Sequence, residues 1–398
     1  MLRKVFAFFD ENFTFIASLL LSVIGLITIL GVTYKTATGE ANYLFFTKQA
    51  MYLLIGIVAF FLISSTKFDA LENLSPVLAL FVIFFLFLVL VFGEIIYGSK
   101  RWISVGPFPF QPSEYAKPVS ALFLGFLESR MQKPEKKFIY QVILVFYIFL
   151  ISFLIFLEPD LGTMTVIVVP FFLSFFFSRA KGKDLLKISL FMIFLGLLFV
   201  LFVFFFSEKY FPFLSYIRIR MSDFFLGITR NEPHYNVKQG FRAIKSGGFF
   251  GIGLGFAEGS LLKFLPSKHT DFILAVIFEF FGFVGAAIVF LLYFLFLNKL
   301  FLIVKSVEIR SGAIASLFIS IYITLQTLIN IGVNLGLLPV TGITLPFLSY
   351  GGNSLVSLFI SLGIVSSATK KKIYQTKNLD GLAKIIDEVG QENLDFME

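Results

Sequence analysis

Two acidic residues occur at the start of a long apolar stretch, within FLPSKHTDFILAVIFEF (264–280). On a helix, Asp271 and Glu279 would lie about 12 Å apart along the axis and within about 80° of the same face. A carboxylate at membrane depth needs a partner or a wet cavity, so this spacing indicates a polar site. Taken alone, Thr270 and Asp271 are also typical of a helix N-cap. The polar residues directly before Asp271 are Lys268, His269 and Thr270.

Other polar residues occur where apolar stretches begin or end. Glu114 and Lys117 are three residues apart, so on a helix they share a face and can pair. The stretch LPVTGITLPFLSYGGNS (338–354) is broken by Gly and Pro, and irregular backbone at membrane depth must be buried in protein or line a cavity. We therefore expect the outer ends of several helices to converge on one polar cleft. EPDLGT and 338–354 add the candidates Glu158, Asp160, Ser349 and Asn353.

Residues 207–270 form a long connection rich in lysine, arginine, aromatic residues and glycine. Cationic side chains suit an anionic ligand such as a lipid phosphate. The alternative is a solvated face near anionic headgroups. The basic residues considered are Arg218, Arg220, Arg230, Lys238, Arg242, Lys245, Lys263 and Lys268.

The composition indicates a membrane protein. Of the 398 residues, 58% are hydrophobic and only 15% are charged, with a mean hydropathy of +0.90. Soluble domains carry about 25% charged residues. Continuous rather than alternating apolar runs favour helices over a β-barrel. In such a chain the net charge of +8 reflects topology, not nucleic-acid binding. The absence of cysteine excludes disulfides and thiolate sites.

The apolar runs predict an all-α polytopic membrane protein with ten spans. With both termini cytoplasmic, the short connections richest in Lys and Arg lie inside. The 207–270 connection then lies outside, between spans 7 and 8. Residues 1–372 form one membrane domain, whose first span acts as a signal anchor, and 373–398 form a short cytoplasmic tail. The spans are 13–34, 49–65, 74–97, 112–128, 138–157, 161–178, 186–206, 271–298, 312–337 and 343–367.

Nucleotide and metal signatures are weak. The sequence contains neither a P-loop nor a dinucleotide-binding fingerprint, so no nucleotide cofactor is expected. Two histidines, His234 and His269, are too few for a histidine-based metal cage. Carboxylates could still hold Mg²⁺ on a phosphate, so the metal stays open.

Five sequence blocks occur in order: RWISVG…FQPSEYAK, EPDLGT, AIKSGGFFGIGLG, FLPSKHTDF and LPVTGITLPFLSYGGNS. On these blocks nearly the whole chain resembles the SEDS family (shape, elongation, division and sporulation), whose bacterial members are FtsW and RodA. The resemblance implies a peptidoglycan glycosyltransferase that polymerises lipid II, the undecaprenyl-pyrophosphoryl substrate, outside the bacterial cytoplasmic membrane. It also implies a class B penicillin-binding protein as transpeptidase partner, among other divisome or elongasome proteins.

The resemblance also implies roles for residues. Asp271 matches the family's essential Asp and would act as the base for the acceptor hydroxyl. Glu114, Lys117 and Arg101 match the QPSExxK block and its leading Arg, and Glu279 matches a later acid. Arg101, Lys117 and the loop arginines Arg218 and Arg220 would clamp the pyrophosphate, with Mg²⁺ or Mn²⁺ as a candidate cofactor. Three departures concern the substrate loop: Ser267 replaces a Glu, FEFFG (278–282) replaces an acidic-Gly run, and the arginine pair near 216–224 survives only in part.

Two other functions remain open at this point. A lipid II flippase would also need polar residues among its spans. However, a flippase needs access from both faces, and the informative polar residues gather on the outer side. A non-catalytic scaffold of the cell-wall machinery would leave Asp271 and Glu279 unexplained. SGGFFGIGLG favours an FtsW-like division role, whereas the spacing of residues 253–266 is closer to RodA-like elongation proteins. The division role is the preferred of the two.

Overall fold

Helices make up most of the chain in a computed structural model, which describes residues 2–33, 43–96, 99–105, 108–132, 135, 137–177, 218–219, 221–225, 235–254 and 260–370. The N-terminal helices are α1 (Leu2–Thr33), α2 (Leu44–Ser65), α3 (Phe68–Phe92), α4 (Pro112–Arg130), α5 (Lys137–Leu157) and α6 (Leu161–Phe177). The C-terminal helices are α7 (Tyr235–Gly247), α8 (Ile273–Ser306), α9 (Arg310–Asn334) and α10 (Gly352–Lys370), with a 3₁₀ turn at Leu261–Phe264.

The polytopic helical fold is confirmed. Among the described residues, seven helices are long and apolar enough to cross a membrane: α1, α2, α3, α5, α8, α9 and α10. Predicted spans 4 and 6 correspond to α4, which carries several polar residues, and to the shorter apolar helix α6. Predicted span 7 (186–206) and the tail after residue 372 lie outside the described residues. The ten-span count and the boundary of the tail therefore stay predictions.

The helices differ in how much of their surface is buried. Protein covers 67% and 72% of the spanning windows of α9 and α10, but only 28% of those of α2 and α3. The central helices accordingly carry rows of small and polar residues, which allow close backbone approach. The peripheral ones expose large apolar side chains, including Phe84 and Phe87 on α3. Exposed phenylalanine is expected where a helix faces lipid.

Two predicted spans have the wrong boundaries. Predicted span 10 starts at residue 343, but α10 begins at Gly352, and residues 339–351 form an irregular loop. Gly342 and Phe347 in this loop have φ values of 81° and 65°, which no helix accommodates. Helix α8 extends to Ser306 and is broken at Gly282, where φ is 66°. Both segments are apolar along their length, so their hydropathy does not reveal these changes of backbone direction.

A three-stranded sheet and one helix were not predicted from the sequence. Residues 94–110 contain three short antiparallel strands, β1 (Glu94–Ile96), β2 (Ser99–Val105) and β3 (Phe108–Phe110), in the order β1-β2-β3. The predicted outer loop 207–270 contains helix α7, which buries Val237 and Ala243 and packs on α8. Both elements are short and contribute little to average hydropathy, so a search for spans does not detect them.

Candidate functional site

Asp271 lies just before α8, not in it. The helix has Phe272 at its N-cap, without a side-chain cap hydrogen bond, so the N-cap hypothesis for Thr270 and Asp271 is wrong. The main-chain carbonyl of Asp271 accepts hydrogen bonds from Nδ2 of Asn330 (2.9 Å) and Nδ2 of Asn334 (2.8 Å) on α9. The residue as a whole is half-buried. Its backbone is therefore fixed, while the residue keeps part of its surface exposed.

The loop 339–351 holds the other side of Asp271. Ser349 Oγ donates to the carbonyl of Thr270 at 2.6 Å, and the Tyr350 amide donates to the carbonyl of His269 at 2.8 Å. A Cβ added to Gly342 would lie 4.0 Å from Asp271 Oδ2. Glycine at this position thus leaves space directly beside the carboxylate. The predicted convergence of helix ends is found here, because residues 269–270 are hydrogen-bonded to the loop 339–351.

Lys268 and His269 give this region a cationic and aromatic lining. Burial lowers the pKa of Lys268, and the charge of Glu279 opposes that change. Burial and then the charge of Lys268 lower the pKa of His269, which keeps its imidazole neutral at pH 7. The His269 ring lies 4.7 Å from the ring of Phe45 and 5.6 Å from that of Tyr350. Lys268 is thus a cation close to Asp271 in sequence and only half-buried.

Glu279 serves a different purpose from Asp271. It is fully buried, and its Oε1 accepts a hydrogen bond from the Leu261 amide at 2.8 Å. Since Asp271 lies outside α8, the two carboxylates do not share one helix face, and that prediction is wrong. Glu279 instead ties the 3₁₀ turn at Leu261–Phe264 to the first part of α8. It supports the loop that leads to Asp271.

The predicted pairing of Glu114 and Lys117 is present, with 2.7 Å between Oε2 and Nζ. Lys117 Nζ also donates to Gln326 Oε1 at 3.3 Å, and Gln326 Nε2 donates to the carbonyl of Thr344 at 3.1 Å. Lys117 is only 2% exposed. The expectation that it clamps a pyrophosphate is therefore not supported, because its ammonium is enclosed by α4 and α9. The pair connects α4, through α9, to the loop 339–351.

Arg101 in β2 binds the turn between α5 and α6. Its guanidinium donates to the carbonyl of Glu158 at 3.2 Å and to the carbonyl of Pro159, and it lies 3.5 Å from Asp160 Oδ2. Asp160, which directly precedes α6, in turn accepts from the amide (3.1 Å) and hydroxyl (2.9 Å) of Thr163 in the first turn of that helix. These contacts occupy the guanidinium, so Arg101 positions this turn and is not free to clamp a pyrophosphate as expected.

Glu158 is the most unusual acid in this turn. It is fully buried, and neither carboxyl oxygen has a hydrogen-bond partner among the described residues. Burial, with a further contribution from the charge of Asp160, raises its pKa to about 9, although Arg101 opposes the shift. Glu158 is therefore a neutral acid at pH 7. It cannot supply a negative charge to the site.

The remaining predicted residues have mixed positions. Asn353 links α4 to the strands: its Oδ1 accepts from the Tyr115 hydroxyl at 3.2 Å, and its Nδ2 donates to the carbonyl of Pro109 at 2.7 Å. Arg218 is half-buried in the short segment 218–219, and Arg220 lies outside the described residues. The predicted role of the two arginines stays a prediction.

Helix α9 carries a row of amides that was not predicted from the sequence. Gln326, Asn330 and Asn334 are four residues apart, so they share one face of the helix. All three are buried. Asn330 also donates to the carbonyl of Ile343 at 2.8 Å, and Gln326 binds Thr344, so the row holds both Asp271 and the loop 339–351. Amides repeating every four residues in an apolar span were the available signal.

A resident metal ion does not fit the described residues. They contain no group of three or more His, Asp or Glu side chains arranged to hold one. Asp271 alone supplies too few oxygen ligands for a protein-bound Mg²⁺ or Mn²⁺. At the described residues, a divalent cation would need further ligands, such as those of a bound phosphate.

Comparisons with known proteins agree with these features. Residues 11–374 match the family model of FtsW, RodA and SpoVE, described as cell cycle proteins. A probable peptidoglycan glycosyltransferase FtsW of Wigglesworthia glossinidia brevipalpis is 31% identical over 90% of this chain and 93% of its own length. Stage V sporulation protein E of Bacillus subtilis is 33% identical over 90% of this chain and 96% of its own length.

Solved structures show the same fold. A chain of a peptidoglycan synthase complex, in a structure concerned with the coordination of polymerisation and crosslinking, superposes with a TM-score of 0.69. It is 26% identical and the match covers 90% of this chain and 97% of that one. Rod shape determining protein RodA of Thermus thermophilus superposes with a TM-score of 0.64, at 25% identity, over 90% of this chain and 96% of its own.

Proposed function

Because the chain belongs to the FtsW/RodA/SpoVE family of cell cycle proteins, we propose that it is a peptidoglycan glycosyltransferase that polymerises lipid II into glycan strands. The observation that carries this proposal is the environment of Asp271. Asp271 is half-buried, its carboxylate lies beside Gly342, and its backbone is fixed by Asn330, Asn334 and the loop 339–351. A fixed base with an open space beside it is the arrangement that general base catalysis requires.

In the proposed step, Asp271 takes the proton of the acceptor sugar hydroxyl. The acceptor oxygen then forms a bond to the anomeric carbon of the donor, and the bond from that carbon to the pyrophosphate oxygen breaks. The electron pair leaves with the lipid pyrophosphate, so negative charge develops there and a nearby cation stabilises it. We assign this role to Lys268, a half-buried residue three positions before Asp271, because Arg101 and Lys117 are engaged elsewhere. A divalent cation would enter with the pyrophosphate and not through a protein site.

The biological setting follows from the same relatives. We place the chain in the bacterial cytoplasmic membrane, with the Asp271 site on the outer face. A class B penicillin-binding protein would supply transpeptidation, as expected for a relative of a chain in a peptidoglycan synthase complex. Relatives named FtsW at 31–32% identity support a role in division more than in elongation.

The test is an assay of polymerisation with labelled lipid II. The chain is purified with its class B penicillin-binding protein, and wild type is compared with Asp271→Asn. We expect a ladder of glycan strands from wild type and a loss of at least about 100-fold from the variant, as for removal of a general base. Asp69→Asn, at an exposed position in the first turn of α3, is the matched control and should retain activity.

Other outcomes would change the proposal. Wild-type activity in the Asp271→Asn variant would refute the role of Asp271. Absence of product from an intact wild-type complex would favour a lipid II flippase or a scaffold, and movement of labelled lipid II across vesicles would distinguish those two.

A further inference from the structure

Helix α7 and the segment after it form an exposed face that combines cations with large apolar side chains. Lys238, Arg242 and Lys245 are exposed, and a spacing of four and three residues places them within about 60° on one face of the helix. We name these three residues the α7 stripe. The helix contains no acidic residue. Directly after it, Phe249 and Phe250 are 60% and 80% exposed.

The packing of residues 235–254 on α8 sets how deep they lie in the membrane. A Cβ on Gly240, in the middle of α7, would lie 3.3 Å from the Phe272 ring at the start of α8. Farther along, the Ile252 amide donates to the carbonyl of Glu279 at 2.9 Å, and the Gly253 amide donates to the carbonyl of Phe280 at 3.1 Å. At 1.5 Å per residue, these carbonyls lie about 9–11 Å along α8 from its first residue, Ile273. Residues 235–254 therefore descend from the outer end of α8 into the outer leaflet.

The break in α8 makes this descent possible. At Gly282 the helix loses its regular geometry, and the amides of Phe283 and Val284 donate to the carbonyls of Gly248 (3.0 Å) and Phe249 (3.2 Å). These bonds satisfy backbone groups that could not be left open in a bilayer. The side chains of the segment point the other way: the Phe249 ring stacks on the exposed Phe283 ring, with 6.0 Å between centroids. The segment thus presents aromatic side chains outward at leaflet depth.

Cations above and phenylalanines below match the two parts of a phospholipid. Lysine and arginine near a membrane extend their charged groups to the phosphate layer, while apolar side chains contact acyl chains. A zwitterionic headgroup carries its own cation beside the phosphate, so it compensates the three charges of the α7 stripe less than an anionic headgroup does. An anionic headgroup is attracted by each nearby Lys or Arg.

We propose that the α7 stripe, together with Phe249 and Phe250, is a binding site for an anionic phospholipid of the outer leaflet. The phosphate lies at the stripe and the acyl chains lie against the two phenylalanines. This site is separate from the proposed glycosyl transfer, and it is tested without lipid II.

The experiment uses quenching of a single tryptophan by brominated lipids. Trp102 is the one tryptophan of the chain, so Trp102→Phe combined with Phe250→Trp gives one reporter. The protein is placed in phosphatidylcholine nanodiscs that contain the same mole fraction of either brominated phosphatidylglycerol or brominated phosphatidylcholine. We expect quenching by the anionic lipid to be about twofold stronger or more. Adding Lys238→Gln, Arg242→Gln and Lys245→Gln should bring the ratio to about one.

A reporter on α3 is the matched control. The control is Phe87→Trp, also in the Trp102→Phe background. Phe87 is 57% exposed, a fraction similar to that of Phe249, and a tryptophan there should be quenched equally by both lipids. Equal quenching at position 250 would overturn the proposal. Absence of quenching there, with normal quenching at position 87, would also overturn it, because a protein segment would then cover the face. Phe249→Trp replaces the reporter if the first variant does not elute as a single folded species.

Discussion

Glu114 and Asp271 are two acidic sites connected to the loop 339–351. They differ in which part of the residue, side chain or backbone, the protein holds in place. At Glu114 the side chain is enclosed: it pairs with Lys117, which in turn bonds Gln326. At Asp271 the backbone is enclosed by Asn330 and Asn334, and the residue is only half-buried. A charge that is buried and paired contributes to the organisation of the core. A half-buried carboxylate on a fixed backbone, beside a glycine, suits the proposed catalytic role. Both acids look alike in the sequence, and only the packing separates their roles.

The largest effect should follow from breaking the buried pair. Lys117→Met leaves Glu114 enclosed without its cation, which costs about 3–5 kcal/mol of folding free energy. We expect a large fall in the thermal midpoint of the detergent-solubilised protein, measured by circular dichroism. Asp271→Asn should leave that midpoint nearly unchanged. The double variant Glu114→Gln/Lys117→Met should recover most of the stability, because no buried charge remains.

The opposite result would remove the distinction between the two sites. If Lys117→Met left the midpoint unchanged but abolished polymerisation, Lys117 would belong to the catalytic machinery and not to the core.

The sequence predicted the helices better than the site. Long apolar runs define spans reliably, because each span must satisfy its backbone internally. They do not show that α8 breaks at Gly282 or that α10 begins nine residues late, since the residues there are as apolar as a span. Likewise, the sequence shows which polar residues lie in apolar surroundings, but not which of them are exposed. Their exposure depends on contacts with α9, whose amides bind Asp271 from more than 50 residues away.

A smaller effect tests how Asp271 is positioned. Asn330→Ala removes one of the two amides that bind the carbonyl of Asp271, so the carboxylate loses orientation but keeps its chemistry. We expect kcat of polymerisation to fall about tenfold, because a small misplacement of a catalytic group is costly. The pH profile should keep its shape, which a change in the base itself would not allow. Thr327→Ala is the control on the same helix, since its hydroxyl bonds the carbonyl of Ile323 within α9. An unchanged kcat for Asn330→Ala would show that the amide row does not position Asp271.

A pH-dependent effect concerns Glu158, which is buried like Glu114 but has no hydrogen-bonded cation at its carboxyl oxygens among the described residues. Burial raises its pKa from 4.5 to about 9, so between these values the unfolded chain has lost the proton and the folded chain has kept it. Folding then takes up a proton, and Glu158 lowers stability progressively as pH rises through this range, by at most about 1.4 kcal/mol per pH unit. Below pH 4.5 both states are protonated and the effect vanishes.

Glu158→Gln keeps the shape of the neutral acid and removes the proton. We expect the variant to be more stable than wild type at pH 8, by about 1 kcal/mol or more, and the gain to shrink toward pH 5. Thermal midpoints across this pH range measure it. Glu94→Gln, at an exposed position in β1, should produce no comparable pH-dependent gain. A loss of stability at pH 8 in Glu158→Gln would mean that Glu158 is ionised and paired in the folded protein. The turn between α5 and α6 would then resemble the Glu114 site, and the neutral-acid assignment would be wrong.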